Sequence, residues 1–457
     1  MAWVIPGDAM LPLALLALPP VSGPLPASEM EVASLRPGDR YVRLGGQSTF
    51  LLGRNPTGWE VGQFVPLLQW AHDSGERFVR IHVTVGWSME APPGEVDERW
   101  AEQWDQVLDT AAAQGLYVLP VFGVWGQWND GARGEPWHYW DRNRFSAVRG
   151  GPAKAPNDLL RDTECRRLWL RWLQAVTARW SRRTYILGWE VFSELDLVTG
   201  ASEAEAVDFM QHASQVIRAT DPLARPITAS LSGTNDWPAL SASDALDFTE
   251  VHPYAADLSG EIISSVRARL KRYGKPVLIG ECGLSAGPPA GSIASAPRAH
   301  VGLNHAIWAA AVSGAMNGRM LWWEDGYDQY ERVDLRTPSR NASLPVARFV
   351  QGVDFAGLEP LDVQCSREIT GAALGSDRLV LAWFRDTRCA APDWPTRRVA
   401  IAEVRLPLPE DGAPARVEYH DTRTGEAVGT ATAPHGAGRV VVSLPPFEDS
   451  IALKLSR

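Results

Sequence analysis

Eight short apolar runs recur between about residues 45 and 345 of this 457-residue chain, and helical patterns separate them. The runs are TFLLGRN (49–55), RFVRIHV (77–83), LYVLPVF (116–122) and YILGWEV (185–191). RPITASL (225–231), DFTEVHP (247–253), PVLIGEC (276–282) and GRMLWWE (318–324) complete the set. Their length and their Val, Ile, Leu and Phe content read as buried strands. The segments between them are amphipathic. DERWAEQWDQVLDTAAAQG closes on Gly115, as a helix C-terminus does, and TECRRLWLRWLQAVTARW and AEAVDFMQHASQVIRAT behave alike. Eight buried strands alternating with helices predict a (β/α)8 barrel. An open doubly wound sheet is the alternative. It wants a glycine-rich phosphate turn after its first strand, and LLGRNPTGW has no GxGxxG.

Beyond about residue 353 the period changes to two. RLVLAWFRD, RRVAIAEVRLPL, ARVEYHDTRTG, GRVVVSLP and SIALKLS alternate, joined by Gly, Pro and Asp turns. This predicts a small all-β sandwich packed on the barrel. The expected organisation is an N-terminal extension or signal segment (1–34), a barrel (35–352) and a β-module (353–457). MLPLALLALPP has the apolar character of a signal-peptide core, but no Lys or Arg precedes it. Its prolines and short length exclude a transmembrane helix. A secreted or periplasmic location is weakly favoured over a cytoplasmic one.

A net charge of −10, without any Lys/Arg run, argues against nucleic acid and anionic membrane as partners. The four cysteines form no CxxC pair, and no histidine joins them at metal-ligand spacing, so neither a metal nor a cofactor is expected. Cys365 and Cys389 share one segment and are candidates for a disulfide. Twenty tryptophans are many for this length and suggest aromatic platforms for a flat ligand, the other reading being a Trp-rich core. Four of them lie in the long connection after the third strand, VWGQWNDGARGEPWHYWDRNRFSAVRGGP. Long loops at the C-terminal face of a barrel build its binding site, so this one is expected to wall a cleft.

The chemistry of a barrel sits at the C-terminal ends of its strands. Glu194 follows the fourth strand and Glu281 ends the seventh, three β/α units later. Alone, the first reads equally as a helix cap and the second as a salt-bridged strand end. Together they face each other across one barrel mouth. Two carboxylates so placed cleave a glycosidic bond: one protonates the leaving oxygen, the other attacks or activates water.

These residues carry a family resemblance. WEVFSE resembles the W-E-x-x-N-E motif on strand 4 of clan A glycoside hydrolases, the retaining family 5-like enzymes, and IGECG resembles their nucleophile motif on strand 7. The span from WDRNRF to FSELD is similar to cellulase and mannanase domains of this type. HPY (252–254) resembles the strand 6 His-x-Tyr, and LWWED (321–325) the strand 8 Trp motif. AWFRD, YHDTRTGEAV and LPPFEDSIALKL resemble the β-module that often follows such barrels.

The resemblance implies Glu194 as acid/base and Glu281 as nucleophile, with Glu194 protonated at rest. Arg80 would stand beside Glu281 and keep it ionised. Tyr254 would donate its hydroxyl to Glu281. His252 would bond a sugar hydroxyl or the acid/base, or be a satisfied core histidine. Trp322 or Trp323 would floor the subsite at the cleaved bond. Strand alternation admits one of them, and Trp323 is favoured. His82, Trp125 and Trp128 complete the expected substrate contacts, and Glu190 is expected to be structural. Ser193 departs from the pattern, because the clan's residue there is Asn, which bonds the sugar 2-hydroxyl. A bridging water, a different sugar 2-position, or a slow or inactive enzyme would each account for it.

The implied activity is retaining hydrolysis of a β-linked oligo- or polysaccharide, internal on mannan or glucan. A non-catalytic carbohydrate-binding barrel and a glycan-trimming hydrolase of exopolysaccharide assembly are the alternatives.

Overall fold

The computed structural model describes residues 30–58, 61–84, 91–131, 139–287, 291–325, 341–407, 414–436 and 438–456. The apolar segment near residue 15 and Trp137 of the long loop lie outside the described residues.

Each of the eight apolar runs forms a strand, and a helix follows each. The strands are β1 (Leu51–Arg54), β2 (Phe78–His82), β3 (Tyr117–Val124), β4 (Trp189–Ser193), β5 (Ile227–Thr228), β6 (Thr249–Val251), β7 (Val277–Ile279) and β8 (Asn317–Arg319). The helices are α1 (Val61–Asp73), α2 (Glu98–Ala113), α3 (Thr163–Trp180), α4 (Glu203–Thr220), α5 (Pro238–Ala242), α6 (Leu258–Tyr273), α7 (Ala299–Ser313) and α8 (Ser343–Val350). Their starts are chemically marked. Asp97 caps α2, Asp162 caps α3, and Ser202 with Glu205 forms a reciprocal capping box on α4.

The strands run parallel. β8 pairs with β1, β1 to β5 pair in sequence, and β6 pairs with β7. Backbone hydrogen bonds outside the ladders close the remaining gaps. Asp247 N–H donates to Ile227 O (2.8 Å) between β5 and β6, and Met316 N–H donates to Val277 O (2.9 Å) between β7 and β8. The result is a closed eight-stranded barrel.

Of the sixteen tryptophans among the described residues, eleven are buried: 100, 104, 128, 140, 169, 172, 180, 189, 308, 383 and 394. Trp172 and Trp180 of α3 pack on Phe122 of β3 and on Trp100 of α2. The tryptophan excess therefore goes mainly into core packing, where large rings span the gap between helix and sheet, and not into ligand platforms.

β8 ends earlier than its apolar run. Arg319 and Met320 adopt left-handed backbone (φ 73° and 53°), which no strand sustains. Arg319 reaches Glu76 (2.9 Å) and pairs with Asp325. Arg54 also holds Glu76 (2.8 Å). This buried network turns the chain into a helical turn, Trp322–Asp325.

The C-terminal region forms two antiparallel sheets. In chain order its strands are β9 (Glu359–Leu361), β10 (Gln364–Cys365), β11 (Ile369–Gly375), β12 (Leu379–Asp386), β13 (Arg398–Val399) and β14 (Ala402–Pro407). β15 (Ala415–Asp421), β16 (Ala427–Ala433), β17 (His435–Gly436), β18 (Arg439–Leu444), β19 (Phe447–Glu448) and β20 (Ser450–Ser456) follow. One sheet has the order β9-β11-β12-β20-β15-β16, the other β10-β14-β18-β17, and an apolar core fills the space between them. The expected Cys365–Cys389 disulfide is absent, and both thiols are free. Cys365 lies in β10 of the smaller sheet, whereas buried Cys389 follows β12 and points its thiol at Asp449 (3.6 Å).

Sheet and barrel share a core. Trp383 of β12 packs on His305 of α7 (centroids 5.5 Å), and Trp308 of α7 donates its indole N–H to Thr422 O (3.0 Å). Arg267 of α6 caps Leu361 O and Ala373 O. Replacing Trp383 with Ala should cost about 3–5 kcal/mol. In denaturant unfolding, barrel and module should still melt in one shared transition. A barrel signal that keeps its wild-type midpoint while the module melts early would show the two to be independent.

Candidate active site

Barrel closure carries the inward side chains of β2, β4, β6 and β7 to one mouth. Arg80 of β2 is fully buried and lies at the centre. Its Nε and Nη2 hold Glu190 of β4 (2.6 and 2.7 Å), Nη1 donates to Glu281 Oε1 (2.9 Å), and Nη2 donates to Ser193 Oγ (3.0 Å). Glu190 is thus the fork that orients the guanidinium, the structural part expected of it. Ser193 is 1 % exposed, with its hydroxyl engaged by Arg80.

Glu281 lies two residues past β7. Its second oxygen accepts from the Tyr254 hydroxyl (2.9 Å), and His82 Nε2 stands 3.8 Å from the first. Burial alone would raise the Glu281 pKa. His252 and Arg80 outweigh it and hold the carboxyl at about 2. Tyr254 itself is pushed well above the usual phenol range by burial and by Glu281.

Glu194 directly follows β4 and is the residue that turns the chain out of the barrel. Its backbone is left-handed (φ 62°, ψ 56°), a conformation unfavourable for a residue with a side chain. Ser230, beyond β5, stabilises the turn: its Oγ accepts from Glu194 N–H (3.1 Å) and its carbonyl from Leu195 N–H (3.1 Å). The Glu194 side chain meets His252 Nδ1 at 2.9 Å. Burial raises its pKa, His252 opposes that, and Glu281 adds to the rise. The two carboxylates are therefore driven apart, Glu281 down and Glu194 up, which is the division of labour an acid and a nucleophile need.

His252 is not a passive core histidine. Burial would lower its pKa, but Glu281, Glu194 and Glu250 together raise it to about 10. His82 is the reverse case, held down to about 3 by burial and Arg80. Donor atoms of Glu194, His252 and Glu281, and of Glu190, Glu250 and His252, lie within 4.8 Å of one another. The fixed charge of Arg80 inside the cluster opposes a second cation there.

The aromatic expectations divide. Trp322 packs edge-on against His82 (centroids 5.3 Å, 80°) and so reaches the site. Strand alternation favours Trp323, but both tryptophans lie on the helical turn after β8, where that alternation does not apply. Among the described residues the buried Trp323 indole N–H has no hydrogen-bond partner. Trp128 is 2 % exposed between Trp140 and Phe145 and belongs to the core of the β3 loop, so it presents no platform. Trp125 is half-buried in the same loop. That loop is fastened to the exit from β4: Asn129 donates to Leu197 O (2.7 Å) and Thr199 N–H to Trp128 O (3.1 Å).

Three residues escaped the sequence reading. Asn55, at the end of β1, donates to Gly280 O and Met320 O (3.0 and 3.2 Å) and so ties β1 to β7 and β8. Glu250 lies beneath His252. Gly280 leaves them room, because a Cβ there would press into Glu250 Oε2 and His252 Nε2. The period-two series Glu250, His252, Tyr254 in TEVHPY was the signal for the second.

The residues 65–312 match the family described as Cellulase (glycosyl hydrolase family 5). No curated protein matches the chain. Among solved structures, a glycoside hydrolase family 5 protein from Bacteroides vulgatus is similar over 93% of each chain, at 12% identity and TM-score 0.64. A second glycoside hydrolase structure from the same organism is similar over 93% of this chain and 82% of its own, at 14% identity and TM-score 0.60. Both likenesses are of fold.

Removing the Tyr254 hydroxyl takes a donor from the ionised form of Glu281 and so raises its pKa. Tyr254→Phe should move the acid limb of the kcat/KM profile to higher pH. An unmoved acid limb would separate Tyr254 from Glu281 ionisation.

Proposed function

The chain belongs to the cellulase family, glycosyl hydrolase family 5, a retaining clan A group, and from that premise we propose that Glu281 is its nucleophile and Glu194 its acid/base. The observation that carries this reading is their spacing. Glu194 and Glu281 each place an oxygen within 4.8 Å of the other's. Retaining pairs stand about 5–5.5 Å apart and inverting pairs about 6.5–9.5 Å.

In the first step Glu281 attacks the anomeric carbon. The carbon–oxygen bond breaks, its electron pair goes to the leaving oxygen, and the Glu194 proton follows. In the second step water attacks the glycosyl-enzyme, gives its proton to Glu194, and frees Glu281. Arg80 and Tyr254 keep Glu281 ionised and aimed. Trp322 beside His82 supplies an apolar face for a sugar ring.

The substrate in this reading is a β-linked mannan or glucan cut internally. The β3 loop, fastened beside Glu194, forms one wall for an extended chain. The Ser193 hydroxyl, committed to Arg80, replaces the usual Asn as part of the anchor of Glu281. Loss of a hydrogen bond to a charged group costs about 1.5–3 kcal/mol. Ser193→Ala should therefore lower kcat by about tenfold or more, with KM little changed.

Glu281→Gln should abolish turnover, and Glu194→Ala with azide should yield a β-glycosyl azide. Full activity in Glu281→Gln, or an α-azide, would overturn the assignment. A product-resolved screen over mannan, glucan, xylan and galactan tests the substrate. Release of single sugars only, or turnover confined to xylan or galactan, would reject internal cleavage of mannan or glucan.

A further inference from the structure

Behind the His252 ring lies a carboxylate that the two-carboxylate mechanism leaves unused. Glu250 is 3 % exposed, two residues before His252 on β6, and neither of its oxygens has a hydrogen-bond partner among the described residues. Oε2 lies 3.8 Å from His252 Nε2 and 3.9 Å from Arg80 Nε, ion-pair distances too long for hydrogen bonds. His252 Nε2 likewise has no hydrogen-bond partner among the described residues. A buried carboxylate without hydrogen bonds is costly. Yet Gly280, next to the nucleophile, is bare where any side chain would displace this pair.

We propose that Glu250 is a positioning residue for the acid step, holding a proton on His252 Nε2 so that Nδ1 shares one proton with Glu194. This rests on Glu194 being the acid/base. The order in space is carboxylate, imidazole, carboxylate. Which ring nitrogen carries a proton is decided by the partner of the other one. Nε2 faces Glu250, so it keeps its hydrogen. Nδ1 faces Glu194 Oε1 at 2.9 Å, and one proton lies between them, on the acid or on the ring.

The balance over a turnover is closed. Glycosylation passes that proton to the leaving oxygen, and Glu194 is left ionised beside the ring. Deglycosylation returns a proton from water to Glu194. His252 and Glu250 end as they began. Arg80 and His82 from β2, Glu190 from β4, Glu194 past β4, Tyr254 past β6 and Glu281 past β7 are the other ionisable groups around the ring. Arg80 is already matched by Glu190 and Glu281, and His82 is kept neutral by burial and Arg80. Glu250 is thus the anion on the Nε2 side that can be neutralised without touching either reacting carboxylate.

Glu250→Gln keeps the shape and removes the charge. The last proton of the Glu194–His252 pair should then leave at lower pH, since a nearby anion favours the protonated ring. The alkaline limb of kcat/KM should move down by about one pH unit or more, with KM within roughly twofold of wild type. The shift should vanish in a His252→Asn background. An aryl glycoside whose leaving group departs without protonation should keep its glycosylation rate. A folded Glu250→Gln with an unmoved alkaline limb and only a lower Tm would overturn the inference. If that variant does not fold, Glu250→Asp withdraws the charge from Nε2 and should move the limb part-way; an unmoved limb there overturns it equally. Failure of azide rescue in Glu194→Ala would instead remove the acid/base reading beneath it.

Discussion

A single guanidinium holds the barrel mouth together. Arg80 has no access to water, so its five N–H donors must find partners in the protein. They find Glu190, Glu281, Ser193 and, at 3.4 Å, Asn55. Those partners come from β4, from beyond β7 and from the end of β1, so one side chain references four parts of the barrel to each other. Buried ion pairs are tolerated only when nearly every donor and acceptor is matched. The same requirement that makes the network stable also fixes Glu281 in position and in charge state. Geometry and ionisation have one cause.

The architecture was legible because burial demands it. A strand covered on both faces must be apolar along its length, and all eight runs stood out on that ground. Glu194 and Glu281 were legible because they interrupt that rule at the strand ends. The expectation for Trp322 and Trp323 follows strand period, but the left-handed backbone at Arg319 and Met320 depends on Glu76 and Asp325, distant in sequence or beyond the run. Trp128 was judged by the polarity of its loop, whereas its neighbours Trp140 and Phe145 give that loop a small core. Beyond the period-two series, Glu250 carries no local signal of its own, since its meaning depends on Gly280, which follows β7.

The C-terminal sheets do more than follow the barrel. Arg385 of β12 bonds Ser259 and Asp257 at the start of α6 (3.2 and 3.0 Å). The chain between β6 and α6 carries Tyr254, the partner of Glu281. The module therefore secures the outer end of a segment whose inner end touches Glu281. With Trp383 and Trp308 crossing the junction, barrel and sheets form one mechanical body.

The left-handed backbone at Glu194 has an evolutionary consequence. Glycine and, less readily, asparagine relax that conformation, and every other side chain is strained in it. With Glu194 as the proposed acid/base, use of its carboxyl is what keeps a glutamate there. In lineages that keep this barrel but cease to cut glycans, drift at this position should run toward Gly or Asn, because such changes relieve strain. The residue found at this turn in any relative is then a record of whether selection for hydrolysis still acts on it.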